Sequence, residues 1–168
     1  GMVDARDLTD YKMGLIEENI ERTQTLNIRA HRKDATLLDK ESVEKADIVL
    51  ADVPCSGLGV IGKKTDIKYR TDEDKIQELA VLQKQILHNA ASYVKPGGIL
   101  IYSTCTITSE ENQSNVAWFT ENYPFVLESL DPYLCEELHS ETTAQGWLQL
   151  LPGVHKTDGF FLARMRKK

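Results

Sequence analysis

The chain has 168 residues, of which 41% are hydrophobic and 27% charged, and its formal net charge is −6. This length suits one domain with a substantial core, and the composition is that of an ordinary globular protein. The acidic balance excludes a wholly basic surface, although a local basic stretch would still suffice to bind nucleic acid. Because no membrane-length apolar run and no secretory signal are recognisable, we expect a cytoplasmic protein.

Hydrophobic periodicity predicts strands that alternate with helices. In chain order, the predicted elements are a strand over 2–6, a helix over 10–23, a strand in NIRAHRKDA, a buried strand in ADIVLADVP, a helix over 72–94, a buried strand in ILIYSTC, a helix from about Thr108 to about Glu121, and three short strands in FVLESL, WLQLLP and GFFLARM. Such alternation predicts an α/β fold with a mainly parallel sheet and an antiparallel edge at the C-terminus.

Three local patterns sharpen these predictions. The nearly continuous apolar run ADIVLADVP is typical of a strand buried on both faces of a parallel sheet. The segment KPGG is expected to separate the long helix from the strand ILIYSTC. Thr108 and Glu111 have capping-box spacing, so a helix is expected to begin beside them.

Chemically reactive side chains follow four of the predicted strands. Asp7, Asp34, Asp52 with Cys55, and Cys105 all come at or just after strand ends. Since ligands in open α/β sheets bind beyond the carboxyl ends of the strands, we expect these residues on one rim.

Cysteine usage separates two of the three thiols from the third. An odd number of widely spaced cysteines favours a reducing compartment over a disulfide framework, and no zinc-binding pattern is present. A buried cysteine is usually just a small hydrophobic residue, which suits Cys135. Cys55 instead lies in the turn-forming sequence PCSGLG, and Cys105 is expected to precede a helix N-terminus, which would favour its thiolate form.

The stretches around these two thiols resemble a known family. DVPCSGLGVIGKKTDIKYR and LIYSTCTITSEEN are similar to the two signature motifs of the RNA (cytosine-5) methyltransferases, in particular the Sun-type bacterial branch that modifies small-subunit ribosomal RNA. The resemblance extends from ARDLTDYK to TDGFFLARMRK. It implies a Rossmann-like fold and S-adenosyl-L-methionine as the cofactor.

The resemblance also implies roles for individual residues. Cys105 is expected to attack C6 of cytosine and make C5 nucleophilic, while Cys55 assists release of the methylated product. Asp52 is expected to bind the cytosine near N3 and its exocyclic amine, and it is also expected to bind the cofactor. Asp7 is expected to bind the ribose hydroxyls of the cofactor, and Asp34 its adenine. The alternatives are a simple strand-ending acid for Asp52, a helix N-cap for Asp7 and a loop carboxylate for Asp34.

A basic tract follows the Pro-Cys loop. Lys63, Lys64, Lys68 and Arg70 are expected to contact RNA phosphates, although a solvated charged surface is the ordinary alternative. Tyr69 could stack on a base or pack in the core.

One element of the family pattern is missing. The family has a Gly-rich loop before its first acidic strand, and PGG at 96–98 cannot substitute because it precedes a strand. We therefore expect 1–168 to be a partial methyltransferase catalytic domain that lacks the first strand. As alternatives, the chain could be an inactive remnant that binds RNA or a partner weakly, or a DNA cytosine methyltransferase, which the Ser-Thr-Cys motif disfavours. Exposed sheet edges would promote self-association.

Overall fold

The computed structural model describes residues 1–63 and 71–168, and it divides into two compact units, Gly1–Leu38 and Asp39–Lys168. The prediction of a single partial domain over 1–168 stays a prediction. None of the helices in the described residues is long and apolar enough to cross a membrane.

The first unit is a strand, a helix and a second strand. Its elements are β1 (Val3–Asp7), α1 (Asp10–Thr23) and β2 (Ile28–Arg32). The hydroxyl of Thr9 caps α1 by accepting a hydrogen bond from the backbone N–H of Lys12 at 3.3 Å. The two strands pair in parallel, as expected for strands joined by a crossover helix.

The second unit holds the remaining elements. Among the described residues they are β3 (Ala46–Asp52), α2 (Glu73–Tyr93), β4 (Val94–Thr104), α3 (Gln113–Asn122), β5 (Phe125–Leu127), α4 (Glu141–Gln145), β6 (Trp147–Leu150) and β7 (Phe160–Lys167), with four short 3-10 turns. The sheet order is β3-β4-β7-β5, and β6 also pairs with β7. β3 and β4 are parallel, whereas β7 is antiparallel to all of its partners. The predicted α/β fold with an antiparallel C-terminal edge is confirmed.

The core of the second unit packs α2 and α3 against the sheet. Tyr102 on β4, Phe119 on α3 and Phe161 on β7 are fully buried there. Burying a side chain of this size typically contributes about 1.5–3 kcal/mol, so this core is the main source of stability for the unit.

The prediction that the third strand is buried on both faces was wrong. Ile48 and Leu50 on β3 are 61% and 65% exposed, whereas Val49 and Ala51 on the opposite face pack into the core. Within the described residues β3 pairs only with β4, so it lies at the end of its sheet. An apolar run is therefore compatible with a strand that is covered on one face only.

Two element boundaries also differ from the predictions. β4 begins at Val94 and takes in KPGG, because Gly97 adopts a φ of +75° and the register with β3 shifts between Ala46 and Ile48. The helix expected near Thr108 begins only at Gln113, and the side chain of its N-cap residue, Asn112, makes no capping hydrogen bond. Cys105 consequently lies eight residues before the first residue of that helix and not directly before its N-terminus, as the sequence had predicted.

Candidate active site

The carboxyl ends of β3 and β4 bring the catalytic candidates together. The two strands are parallel neighbours, with Asp52 paired in register with Ser103. The hydroxyl of Ser103 donates a hydrogen bond of 2.9 Å to the Asp52 carboxylate, which fixes the direction of that side chain. Cys55 and Cys105 follow within three residues of these positions. The prediction that these residues share a rim holds for this part of the site.

The two thiols are in direct contact. The Sγ atoms of Cys55 and Cys105 lie 3.1 Å apart, and both residues are half-buried thiols rather than a disulfide. Cys55 Sγ also accepts a hydrogen bond of 3.2 Å from the backbone N–H of Cys105. The hydrogen bond to Cys105 raises the pKa of the Cys55 thiol, and burial raises it further, so Cys55 is held in its protonated form.

Close backbone packing holds the loop after Cys55. Gly57 takes a φ of +73°, and the 3-10 turn Leu58–Val60 follows. The N–H of Gly59 donates to the carbonyl of Cys105 at 3.1 Å, and Gly159 donates to the carbonyl of Gly59 at 2.8 Å. A Cβ atom on Gly59 would lie only 2.3 Å from the Gly159 oxygen. Only glycine therefore allows the loop to lie against both the end of β4 and the segment before β7.

A buried carboxylate joins the two thiol-bearing segments. Glu111 is fully buried, and its Oε1 accepts hydrogen bonds of 2.9 Å from the backbone N–H of Ser56 and from Gln83 Nε2. Its Oε2 accepts from the hydroxyl of Ser56 at 2.6 Å and from that of Thr108 at 2.8 Å. Gln83 Nε2 also donates to the carbonyl of Pro54 at 2.9 Å, so both neighbours of Cys55 are anchored.

The role of Glu111 was missed at the sequence level, where it was interpreted as a helix cap. Its carboxylate instead points into the protein toward the Cys55 loop. One signal could have revealed the network: Gln83 is a polar residue in the apolar stripe of α2, and it is fully buried. Buried polar side chains are normally hydrogen-bonded, so Gln83 required partners of this kind.

The candidate cofactor residues lie in the first unit. Asp7 ends β1, where its Oδ1 accepts a hydrogen bond of 2.7 Å from the N–H of Leu8 and its Oδ2 lies 3.3 Å from Lys12 Nζ. Asp34 follows β2 by two residues, and its Oδ1 accepts from the hydroxyl and the N–H of Thr36 at 2.6 and 2.8 Å. The hydroxyl bond from Thr36 lowers the pKa of the Asp34 carboxyl. Thr9 caps α1, so the N-cap alternative for Asp7 was wrong.

The basic tract is described only at its start. Lys64, Lys68 and Arg70 lie outside the described residues, as does Tyr69. Lys63 is exposed, and its Nζ pairs with the Asp158 carboxylate at 2.6 Å. An exposed ion pair of this kind contributes little to stability.

The chain is similar to known rRNA methyltransferases in sequence. Residues 1–166 match the family model described as 16S rRNA methyltransferase RsmB/F. The chain is 32% identical over 168 residues to the Ribosomal RNA small subunit methyltransferase F of Escherichia coli O139:H28 (strain E24377A / ETEC), and the match covers 99% of this chain. The chain spans only 35% of the length of that relative.

Solved structures give the same result. A methyltransferase homolog protein from Pyrococcus horikoshii superposes with a TM-score of 0.80 at 31% identity, over 100% of this chain and 54% of that one. The NSun6 structure from Pyrococcus horikoshii with SFG also gives 0.80, at 27% identity, over 99% of this chain and 41% of that one. The fold is thus the Rossmann-like fold of these methyltransferases, and the chain belongs to the 16S rRNA methyltransferase RsmB/F family.

Proposed function

We propose that this chain is part of an enzyme that transfers a methyl group from S-adenosyl-L-methionine to C5 of a cytosine in small-subunit ribosomal RNA. Family membership supports the substrate and the cofactor. The observation that carries the mechanism is the 3.1 Å contact between Cys55 and Cys105, because chemistry through a covalent cytosine adduct needs one thiol to add and a second group to assist release.

Cys105 is the nucleophile in this proposal. Its thiolate adds to C6 of cytosine, and the electron pair of the C5–C6 double bond makes C5 nucleophilic. When bound, S-adenosyl-L-methionine supplies the methyl group that C5 accepts. A base then accepts the C5 proton, the electron pair of the broken C5–H bond re-forms the double bond, and the Cys105 sulfur is expelled as thiolate.

Cys55 assists release, and its surroundings support this order of events. In the resting protein the hydrogen bond to Cys105 is the largest cause of its raised pKa. Once Cys105 is bonded to the base, its sulfur no longer acts as that partner, and the pKa of Cys55 falls. Cys55 can then lose its own proton to solvent, and the resulting thiolate accepts the C5 proton after the adduct has formed.

Asp52 orients the base. Asp52 lies three residues before Cys55, and its carboxylate accepts a hydrogen bond of 2.9 Å from the Ser103 hydroxyl. A carboxylate accepts hydrogen bonds from the exocyclic amine and from a protonated N3, so it stabilises the charge that develops on the ring as sulfur adds.

Asp7 and Asp34 fit the adenosine end of the cofactor. Ribose hydroxyls and the adenine amine are hydrogen-bond donors, and both carboxylates are acceptors held in place by local bonds. The Gly-rich loop that would hold the methionine end is not found in this sequence. We therefore propose that the 168-residue chain alone binds the cofactor poorly and is inactive, and that an intact enzyme that carries it is active.

Lys63, Lys64, Lys68 and Arg70 bind the RNA backbone in this proposal. Lys63 would exchange its weak surface pair with Asp158 for a phosphate.

The alternative is that the isolated chain is an inactive module that associates with a partner. Exposed Ile48 and Leu50 on the terminal strand β3 support self-association through that edge.

The test uses labelled S-adenosyl-L-methionine with small-subunit rRNA and an intact enzyme that carries this chain, beside the 168-residue chain. We expect 5-methylcytosine from the intact enzyme only, identified by mass spectrometry of the digested RNA. A methyl group on another atom, or no transfer by the intact enzyme, would contradict the proposal.

A further inference from the structure

We infer that Glu111 is a positioning residue that sets the distance between the two thiols and thereby controls release of the methylated product. The effect on product release rests on the proposed function, whereas the positioning of Cys55 by Glu111 follows from the geometry alone. It assigns a role to a buried carboxylate that neither forms the adduct nor contacts Cys55 directly.

The position of Glu111 in the chain is the first argument. It lies six residues after Cys105, in the segment that leads from β4 to α3, yet both of its carboxylate oxygens reach Ser56, the residue after Cys55. One side chain therefore ties the nucleophile's segment to the loop of the second thiol. The hydroxyls of Ser56 and Thr106, 2.7 Å apart, reinforce this connection.

The hydrogen-bond inventory is the second argument. A carboxylate offers about four acceptor sites and no donor. Four neutral donors point at Glu111: the N–H and the hydroxyl of Ser56, the amide of Gln83 and the hydroxyl of Thr108. Bonds to a charged acceptor are among the strong ones in proteins, and complete burial protects them from competition by water.

Glu111 is itself held rigidly. Its backbone carbonyl accepts a hydrogen bond of 2.5 Å from the hydroxyl of Tyr102, a fully buried residue of β4. Asn115 Nδ2 donates to the same carbonyl at 3.3 Å and to Gln83 Oε1 at 2.8 Å. The hydrogen bonds from Glu111 to the Cys55 loop are thus anchored in the core of the second unit, and they hold Cys55 at a defined position.

The decisive variant is Glu111→Gln, which keeps the shape but turns one acceptor into an N–H₂ donor that faces other donors. Its matched control is Glu110→Gln, because Glu110 is exposed and its carboxylate accepts a hydrogen bond of 3.2 Å from the hydroxyl of its neighbour Ser109. In the intact enzyme, loosening Cys55 slows release but leaves attack by Cys105 in place. We expect turnover to fall about tenfold, kcat/KM for RNA to stay within about twofold, and a covalent RNA–protein adduct to accumulate.

A second readout does not depend on methyl transfer. In the 168-residue chain, mass spectrometry follows alkylation of Cys55 by iodoacetamide. Glu111→Gln should raise that rate about tenfold as the bond to Cys105 loosens, and Glu110→Gln should leave it unchanged. Suppose that Glu111→Gln speeds alkylation of Cys55 but the intact enzyme forms no RNA adduct, even with Cys55→Ala. The proposed function then fails, whereas the role of Glu111 in positioning Cys55 stands.

Two results would overturn the inference: unchanged alkylation with unchanged turnover, or loss of the adduct in a folded Glu111→Gln protein. If that variant does not fold, Ser56→Ala replaces it, since this change removes one hydroxyl donor and leaves the N–H bond. We then expect the same changes at smaller size, and their absence in a folded Ser56→Ala protein would equally overturn the inference.

Discussion

Cys55 Sγ lies 3.1 Å from Cys105 Sγ and also accepts a hydrogen bond from the backbone N–H of Cys105. The contact arises because β3 and β4 are parallel neighbours and because Gly59 lets the loop after Cys55 pack against the end of β4. The two strands thus bring the two thiols into direct contact, and the proposed function predicts different consequences for removing each of them.

The first prediction separates the roles of the two thiols. In an intact enzyme that carries this chain, Cys105→Ala should abolish methylation and prevent any covalent RNA adduct, because the attacking sulfur is gone. Cys55→Ala should instead trap the adduct, because release fails. Denaturing gel electrophoresis with labelled RNA checks both outcomes, and Cys135→Ala, at an exposed thiol, is the control. The assignment is reversed if Cys55→Ala loses the adduct and Cys105→Ala keeps it.

The second prediction concerns the pH dependence of Cys55. A raised pKa means less thiolate at a given pH, and the thiolate is the form that reacts with iodoacetamide. Since the hydrogen bond to Cys105 is the largest cause of the raised pKa, Cys105→Ala should lower it and shift the alkylation profile of Cys55 to lower pH. Each unit of fall gives about tenfold more thiolate at pH values below the pKa.

Cys135 is exposed, so its interpretation as a buried cysteine was wrong. The measurement therefore uses the 168-residue chain with Cys135→Ser, which removes this exposed thiol from the background. Cys105→Ser serves as a second variant, because it keeps nearly the volume of cysteine and limits the change in access to Cys55. A profile that stays in place in both variants would show that burial, and not the contact with Cys105, holds Cys55 protonated.

The third prediction tests the backbone packing beneath the site. A methyl group on Gly59 would lie 2.3 Å from the Gly159 oxygen and 2.7 Å from the Cys105 oxygen, so backbone must move. Gly59→Ala should lower the free energy of unfolding by about 1–3 kcal/mol. The matched control is Gly62→Ala, because nothing lies within 4 Å of its added Cβ atom. Urea denaturation measures the free energy of unfolding of both variants. Equal stability of the two would refute the close packing of Gly59 against the Gly159 and Cys105 carbonyls.

Much of this architecture was predictable from the sequence. The helix over 10–23 and the alternation of strands with helices follow from hydrophobic periodicity, and the motifs around Cys55 and Cys105 identified the family. Periodicity could not distinguish a strand covered on one face from one buried on both, which is why the exposure of Ile48 was unexpected. The spacing of Thr108 and Glu111 equally fits a cap and a buried clamp, and only the tertiary position of Ser56 distinguishes them.

The fourth prediction concerns the basic tract. In the intact enzyme, replacing Lys63, Lys64 and Lys68 by alanine should weaken RNA binding across sequences and flatten its dependence on log salt by about one unit per lost phosphate contact. Filter binding at several salt concentrations measures both quantities. A matched replacement of three other exposed lysines by alanine, at Lys40, Lys45 and Lys75, should leave the slope unchanged. Unchanged RNA affinity in the variant of the basic tract would show that these lysines form an ordinary solvated surface.

The last prediction concerns the 168-residue chain by itself. It should bind S-adenosyl-L-methionine poorly in calorimetry, because Asp7 and Asp34 fit only the adenosine end and each missing hydrogen bond costs on the order of 1 kcal/mol.

The 168-residue chain should also self-associate in light scattering, since exposed Ile48 and Leu50 lie on a terminal strand. Leu50→Lys should restore a monomer, because a charge on an edge strand opposes pairing with a second copy. Val81→Lys, at an equally exposed position on α2, should not. Micromolar cofactor binding by a monomeric wild-type chain would contradict both parts.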